Sequence, residues 1–149
     1  MRTIEINPDA VLAAAASIPK DQPVIMINLL RFRDSADYGQ RSDISPCSGR
    51  EAYYERYAPV ASPLVEAEGA RVFWLGNVLA GVIGPPDERW DDVLLVQYTS
   101  FSSLQRLFAN PEYKAVVFHR TAALEDSRLI ASATNTDISG FDVLAASAR

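Results

Sequence analysis

One histidine and one cysteine, His119 and Cys47, stand in the whole chain of 149 residues. A lone cysteine forms no intrachain disulfide and fits a reducing, cytoplasmic setting. With one residue of each type no His-rich or CxxC ligand set can assemble, so no metal site is expected. Long hydrophobic runs are missing too: no stretch approaches the roughly 20 apolar residues of a membrane span. The chain has no G-x-G-x-x-G and no P-loop, so no nucleotide cofactor is indicated. No serine lies in a G-x-S-x-G setting, which leaves a Ser-His-Asp triad without support. Positive charge is also in deficit. A formal net charge of -5 argues against nucleic acid as a partner, since phosphate recognition needs clustered Lys and Arg, and it disfavours an anionic membrane surface.

What is present is ordinary for a globular protein: 48% hydrophobic and 22% charged residues, enough for one domain with a real core. Near the N-terminus "AVLAAAASI" has the look of a signal core. Asn7-Pro8 opens it as a helix cap, however, and Asp9 precedes it, so a short helix ending before Pro19 is expected.

"VIMINLLRF", residues 24–32, reads as a strand apolar on both faces. Val24, Met26, Asn28, Leu30 and Phe32 alternate with Ile25, Ile27, Leu29 and Arg31, and such a strand is covered on both sides. A polar, turn-rich connection follows at 34–48, of a length that in compact domains tends to be functional or disordered. Ser48-x-x-Glu51 is a capping box that starts a helix near Gly49. Tyr53, Tyr57, Val60 and Leu64 make its apolar stripe; Pro59 and Pro63 should kink it, and Gly69 ends it.

Residues 71–83 read as a second strand with a bulge or bend at Gly76 and Gly81. "GPPDERW" is a turn in which Trp90-Asp91 serves as an anchor. A third strand spans 92–100. Helices follow at 101–109 and from Pro111 to about Asp126, and a fourth strand spans 128–134. Ile138, Phe141, Val143 and Leu144 suggest a C-terminal tail docked on something.

The order is β-α-β-β-α-β with an extra N-terminal helix and a C-terminal tail. This is an α+β, ferredoxin-like arrangement, a four-stranded antiparallel sheet with both core helices on one face. The other face is apolar as well and needs a cover. A second copy packed face to face is the economical one, so a homodimer is expected.

The segments "INLLRFRD", "SGREAYYERYA", "WDDVLLVQYTS" and "NPEYKAVVFHRTAALEDSRLI" together resemble the dimeric α+β barrel superfamily. Within it they are most similar to domain-of-unknown-function family thirteen-thirty, over roughly residues 22–133. The resemblance implies the fold, a dimer and a cavity between helices and sheet. The wider superfamily includes cofactor-independent monooxygenases, muconolactone isomerase-like enzymes and ethyl-ether-degradation-type proteins. The family has no settled activity, so the resemblance transfers no catalytic residue.

The residues supply their own candidates. His119 is flanked along its helix by Ala115, Val116, Ala122 and Ala123, small enough to leave room for a ligand, and a histidine can move protons near neutral pH. Its structural alternative is capping or surface packing. Asn28 is an amide inside an apolar strand, where it would steady a carbonyl or oxyanion, or else satisfy a neighbouring loop. Arg31 and Arg33 are placed to clamp a carboxylate, or to serve as rim residues paired with acids. Tyr57, Trp74 and Tyr98 would wall a pocket for a planar ligand if they converge, or pack as core. Cys47 would need a nearby cation to act as a thiolate, and Arg50 is the only obvious one.

Two functions are compatible with this set. One is a cofactor-independent enzyme, oxygenase- or isomerase-like, acting on a planar or carbonyl-bearing metabolite with His119 as acid/base and Asn28 as oxygen-stabilising donor. Arg31, Tyr57, Trp74 and Tyr98 would then bind substrate. The alternative is a non-catalytic metabolite-binding or structural dimer.

Overall fold

The structure, a computed structural model, describes residues 1–137; the expected docking of Ile138, Phe141, Val143 and Leu144 lies outside the described residues. Helix α1 (Pro8–Ser17) is capped by Asn7, whose Oδ1 accepts from the amides of Asp9 and Ala10. Strand β1 (Val24–Phe32) follows. Its even-numbered positions Val24 to Phe32 are buried under helices, and its odd-numbered positions from Ile25 to Arg31 are half-buried on the opposite face. Strands β2 (Arg71–Asn77), β3 (Asp92–Tyr98) and β4 (Leu124–Ser132) complete a sheet of order β2-β3-β1-β4 in which every pairing is antiparallel. The fold is thus α+β and ferredoxin-like, and within one chain the sheet is open rather than closed on itself.

The first core helix begins at α2 (Gly49–Glu51) with the capping box in place. Ser48 Oγ accepts from the Glu51 amide, and Glu51 accepts from the Ser48 amide. Gly49 is required there by space. Its amide donates to the Arg33 carbonyl, and a Cβ on it would sit 2.4 Å from the carbonyl oxygens of both Arg33 and Ala123. The helix then widens into a π segment (Ala52–Tyr57) before α3 (Ala58–Ala67). Pro59 brings no N–H to extend an i→i−4 ladder, and the Ala58 N–H reaches five residues back to the Tyr53 carbonyl. From sequence the prolines are expected to kink the helix or break its last turns; the structure supplies a widened turn just before Pro59, and α3 continues through Pro63 to Ala67.

Strand β3 ends at Tyr98 and β4 at Ser132, each two residues short of the sequence expectation, and two further boundaries differ more. Strand β2 stops at Asn77 instead of 83 because its partner β3 begins at Asp92, opposite Asn77. The apolar residues Leu79, Val82 and Ile83 project beyond the sheet almost fully exposed. Strand β4 starts at Leu124, directly after α5 (Pro111–Ala123), instead of at 128. "LEDSR" looked helical, but an edge strand tolerates such charge. Its outer side is tied to the N-terminal segment, where the Ser127 amide donates to the Thr3 carbonyl at 2.7 Å. Helix α4 (Phe101–Ala109) packs between α1 and α5.

One carboxylate locks the helix layer to the sheet. Asp92 is fully buried. It accepts two hydrogen bonds from the Arg50 guanidinium at 2.9 and 3.2 Å, one from Asn77 Nδ2 at 3.1 Å and one from the Tyr54 hydroxyl. Burial pushes its carboxyl up, but the bonds from Arg50, Tyr54 and Asn77 outweigh that and hold it below the usual carboxylate range. A depressed carboxyl stabilises the fold above its unfolded value of about 3.9 and loses that contribution as pH falls through the folded value. Asp92→Asn is therefore expected to lower stability by about 3 kcal/mol at pH 7, the magnitude of buried hydrogen bonds to a charged group. Urea unfolding checks this, and the gap to wild type should narrow below about pH 4; a gap independent of pH would refute the assignment.

Candidate functional site

Between the helices and the sheet lies a cavity of about 250 Å³. Met26 and Asn28 of β1, and Leu94, Val96 and Tyr98 of β3, form its floor. Its walls carry Tyr53 and Tyr57 from the π segment, Ala61 from α3, Leu104 and Leu107 from α4, and Tyr113 and Arg120 from α5. It opens past Val72 and Leu75 at the β2 edge, where both side chains are about half exposed.

The widened turn sets the aromatic wall. Tyr53 and Tyr57 are buried and their rings sit 5.0 Å apart. The hydroxyls of Tyr57 and Tyr113 share a hydrogen bond of 2.8 Å. Burial pushes the Tyr53 hydroxyl up to about 12, against the pull of the nearby Arg120. Burial likewise raises Tyr57, with Tyr113 and Tyr53 adding to it, and raises Tyr98. All three phenols therefore stay protonated near neutrality and can donate hydrogen bonds without carrying charge.

Asn28 faces this cavity. Its Nδ2 donates to the Leu94 carbonyl at 3.2 Å, and its Oδ1 has no hydrogen-bond donor among the described residues. Part of the donor capacity expected for an oxyanion is thus committed to the sheet, while an acceptor is left facing the cavity. Arg120 also faces it, and the sequence reading missed this residue. In sequence an arginine in a mixed helix looks like a solvated charge. In the structure it is only 5% exposed, donates from Nη1 to the Ile4 carbonyl at 3.0 Å, and has no carboxylate partner among the described residues.

The other predicted site residues lie elsewhere. Trp74 does not join Tyr57 and Tyr98. The bulge between Val72 and Trp74 inserts Phe73, so Trp74 pairs with Leu95 on the opposite face and lies over Gly76. Simple alternation from Val72 would have turned it inward. Arg31 lies against Glu125, with Nε 3.1 Å from Oε2 but too bent for a hydrogen bond. Arg33 donates from Nε to the Leu124 carbonyl. Neither lines the cavity.

His119 does not line the cavity. Its Nδ1 lies 2.7 Å from the Tyr38 hydroxyl, and Arg56 approaches the same hydroxyl at 3.4 Å. Tyr38 belongs to the 34–48 connection, which lies along α5. The Asp37 amide donates to the Ala122 carbonyl, Arg41 stacks on Phe118, and Arg56 holds Ser45. No residue of 34–48 lines the cavity. Cys47 is half-buried in this loop, and its carbonyl accepts from Ala36. Among the described residues no group of three His, Cys, Asp or Glu is placed to hold a metal, and no helix is long and apolar enough to cross a membrane.

Comparison with known proteins adds a family without an activity. No family model matches the chain, and no curated protein matches it. A protein of unknown function from Rhodopseudomonas palustris is 32% identical over 91% of this chain and 98% of its own, with a TM-score of 0.81. The chain belongs to the family of that protein. The methylated form of the same protein matches at 33% identity, covering 91% of this chain and 97% of its own, with a TM-score of 0.82. A hydroxynitrile lyase from Passiflora edulis matches at 10% identity over 80% of this chain and 99% of its own, and its TM-score of 0.49 is too low to bear on activity.

The surroundings of His119 make the loop sensitive to acid. Burial holds its imidazole below the ordinary value, and the charges of Arg56 and Arg41 push the same way. The folded state therefore favours neutral His119, and lowering pH through the unfolded value of about 6.5 destabilises the fastening. Protonation would also set a second cationic N–H beside Arg56 at one phenol oxygen. The hydrogen-exchange protection of the Asp37 amide is expected to fall between pH 7 and pH 5, and that fall should vanish in His119→Phe; equal pH dependence in both proteins would refute it.

Proposed function

We propose that this chain is a homodimeric small-molecule-binding protein whose cavity takes a planar or carbonyl-bearing metabolite. The observation that supports it best is the cavity itself. It is apolar on most sides, with protonated tyrosines, Asn28 and Arg120 converging on it, the composition of ligand sites in general. An apolar cavity of about 150 Å³ already accepts benzene, so about 250 Å³ leaves room for a substituted single ring.

Binding is favoured over acid–base turnover by what faces the cavity. Burial keeps Tyr53, Tyr57 and Tyr98 protonated near neutrality, and His119 is engaged with Tyr38 and does not line the cavity. A cofactor-independent reaction of the oxygenase or isomerase kind would have to run on hydrogen bonds from tyrosine, Asn28 and Arg120 alone. The resemblance to domain-of-unknown-function family thirteen-thirty and the dimeric α+β barrels agrees with both readings.

The dimer is supported by the uncovered sheet face. Trp74 is 51% exposed there beside half-buried Ile27 and Leu95, with Ile130 exposed on β4. Leu79, Val82 and Ile83, the last 98% exposed, lie in the connection that follows β2. Apolar surface of this extent calls for a partner, and a second copy offers the same face.

A native mass spectrum tests both parts. The expected mass is twice 16.4 kDa, with a small molecule retained from expression or taken up from a panel of single-ring ketones, amides and acids. Ala61→Phe, which fills the cavity from α3, should abolish that uptake. A monomer mass would refute the dimer, and a wild-type protein that takes up no member of the panel would refute the binding reading.

A further inference from the structure

We propose that the ligand of this cavity is a monoanion, a carboxylate on a small planar body, and that Arg120 is its counter-ion. The inference rests on the binding reading above and names the substrate class of that site. Arg120 is buried, yet every acid that forms an ion pair among the described residues pairs elsewhere. Glu125 meets Arg2 and Arg31, Asp126 meets Arg128, Asp92 meets Arg50, Glu68 meets Arg106 and Asp43 meets Arg41. Glu5 lines the adjoining groove under α1 but is exposed and makes no ion pair with Arg120. Apart from the bond to Ile4 and the Tyr53 phenol beside it, Arg120 has no hydrogen-bond partner among the described residues, and it lines both the cavity and the adjoining groove under α1. Buried charges in proteins are paired. A lone buried cation facing an apolar cavity is the complement of a ligand that brings the missing charge.

The geometry and charge count narrow the class. A guanidinium is planar and offers two parallel N–H groups to a carboxylate. The tyrosine hydroxyls are neutral donors that satisfy further lone pairs without adding charge. One cation neutralises one negative charge, so a phosphate monoester would bring a second, unpaired charge into a site walled by Leu94, Val96, Leu104 and Leu107, at the cost that burying an unpaired charge entails. Nothing in the sequence marks Arg120 for this role. It is set by α5 crossing the sheet so that Arg120 points inward while His119, its neighbour, points to the loop.

Benzoate and benzamide test it, since they share shape and differ in charge. Calorimetric titration of the wild-type protein should show benzoate binding about tenfold or more tightly than benzamide, the order expected of a charge-assisted bidentate pair. Arg120→Gln should bring benzoate down to the affinity of benzamide. In the wild-type protein the Arg120 Nε–H resonance should move with benzoate and not with benzamide, a readout that survives if the variant fails to fold. Benzamide binding as tightly as benzoate, or an Arg120 resonance indifferent to benzoate, would overturn the anion inference while leaving the cavity reading intact. If neither compound binds, both fall together. Inorganic phosphate displacing benzoate through Arg120 would overturn the choice of carboxylate.

Discussion

The arrangement depends on a single carboxylate that has no access to water. Asp92 opens β3, and its oxygens collect Arg50 from the first turn of the helix, Tyr54 from the π segment and Asn77 from the end of β2. Three elements that would otherwise meet only through apolar contact are thereby fixed in rotation as well as distance, because hydrogen bonds are directional and hydrophobic packing is not. Its neighbour Asp91 adds a fourth, accepting from the Phe32 amide at 2.8 Å. The end of the sheet nearest the 34–48 connection is therefore polar and rigid. The cavity begins beside this cluster, with Tyr54, Leu75 and Leu94 in its lining, and runs between helices and sheet as far as Tyr98.

The cavity follows from how that helix is wound. Pinned at Arg50 and Tyr54, it must accommodate Pro59, and it does so through the widened turn of Ala52–Tyr57. Such turns occur often at functional sites, and here the consequence is concrete. Tyr53, Tyr54 and Tyr57 all line the cavity, and the Tyr54 hydroxyl also donates to Asp92. Small residues complete the space: Ala61 on α3 lines the cavity with Val96 and Tyr98 and brings no bulk to fill it. A tighter helix with a leucine at 61 would have made an ordinary core.

Most of the framework was legible because it rests on local rules. Asn7-Pro8, Asn110-Pro111 and the Ser48–Glu51 capping box each mark a helix start where the structure has one, since end capping is decided by a few adjacent atoms. The alternation of β1 assigned its two faces. What escaped was set by tertiary geometry. One inserted residue, Phe73, turns Trp74 to the outer face, and nothing in "RVFWLGN" says that the pairing slips there. The start of β4 is dictated by its partner Phe32 and not by its own charged sequence. His119 drew attention for being unique and sits against Tyr38. Arg120, one residue on, reads as a surface charge and is buried.

That last pair shows where a functional reading of this fold has to begin. A helix turns about 100° per residue, so His119 and Arg120 face different neighbours, and only the packing of α5 decides which of them meets the cavity. The side that receives His119 supplies a hydrogen-bond partner and two nearby cations, a balanced local cluster that holds a loop. The side that receives Arg120 supplies apolar carbon, phenols and one carbonyl, which leaves the charge uncompensated. A sequence shaped only for stability would place leucine or methionine there, because a buried unpaired charge costs several kcal/mol. Natural sequences depart from local consistency mainly where a site requires it. Among the described residues Arg120 is a buried charge without an acidic partner and it also lines the cavity, and these two observations have one explanation if the charge is kept for something that enters from outside.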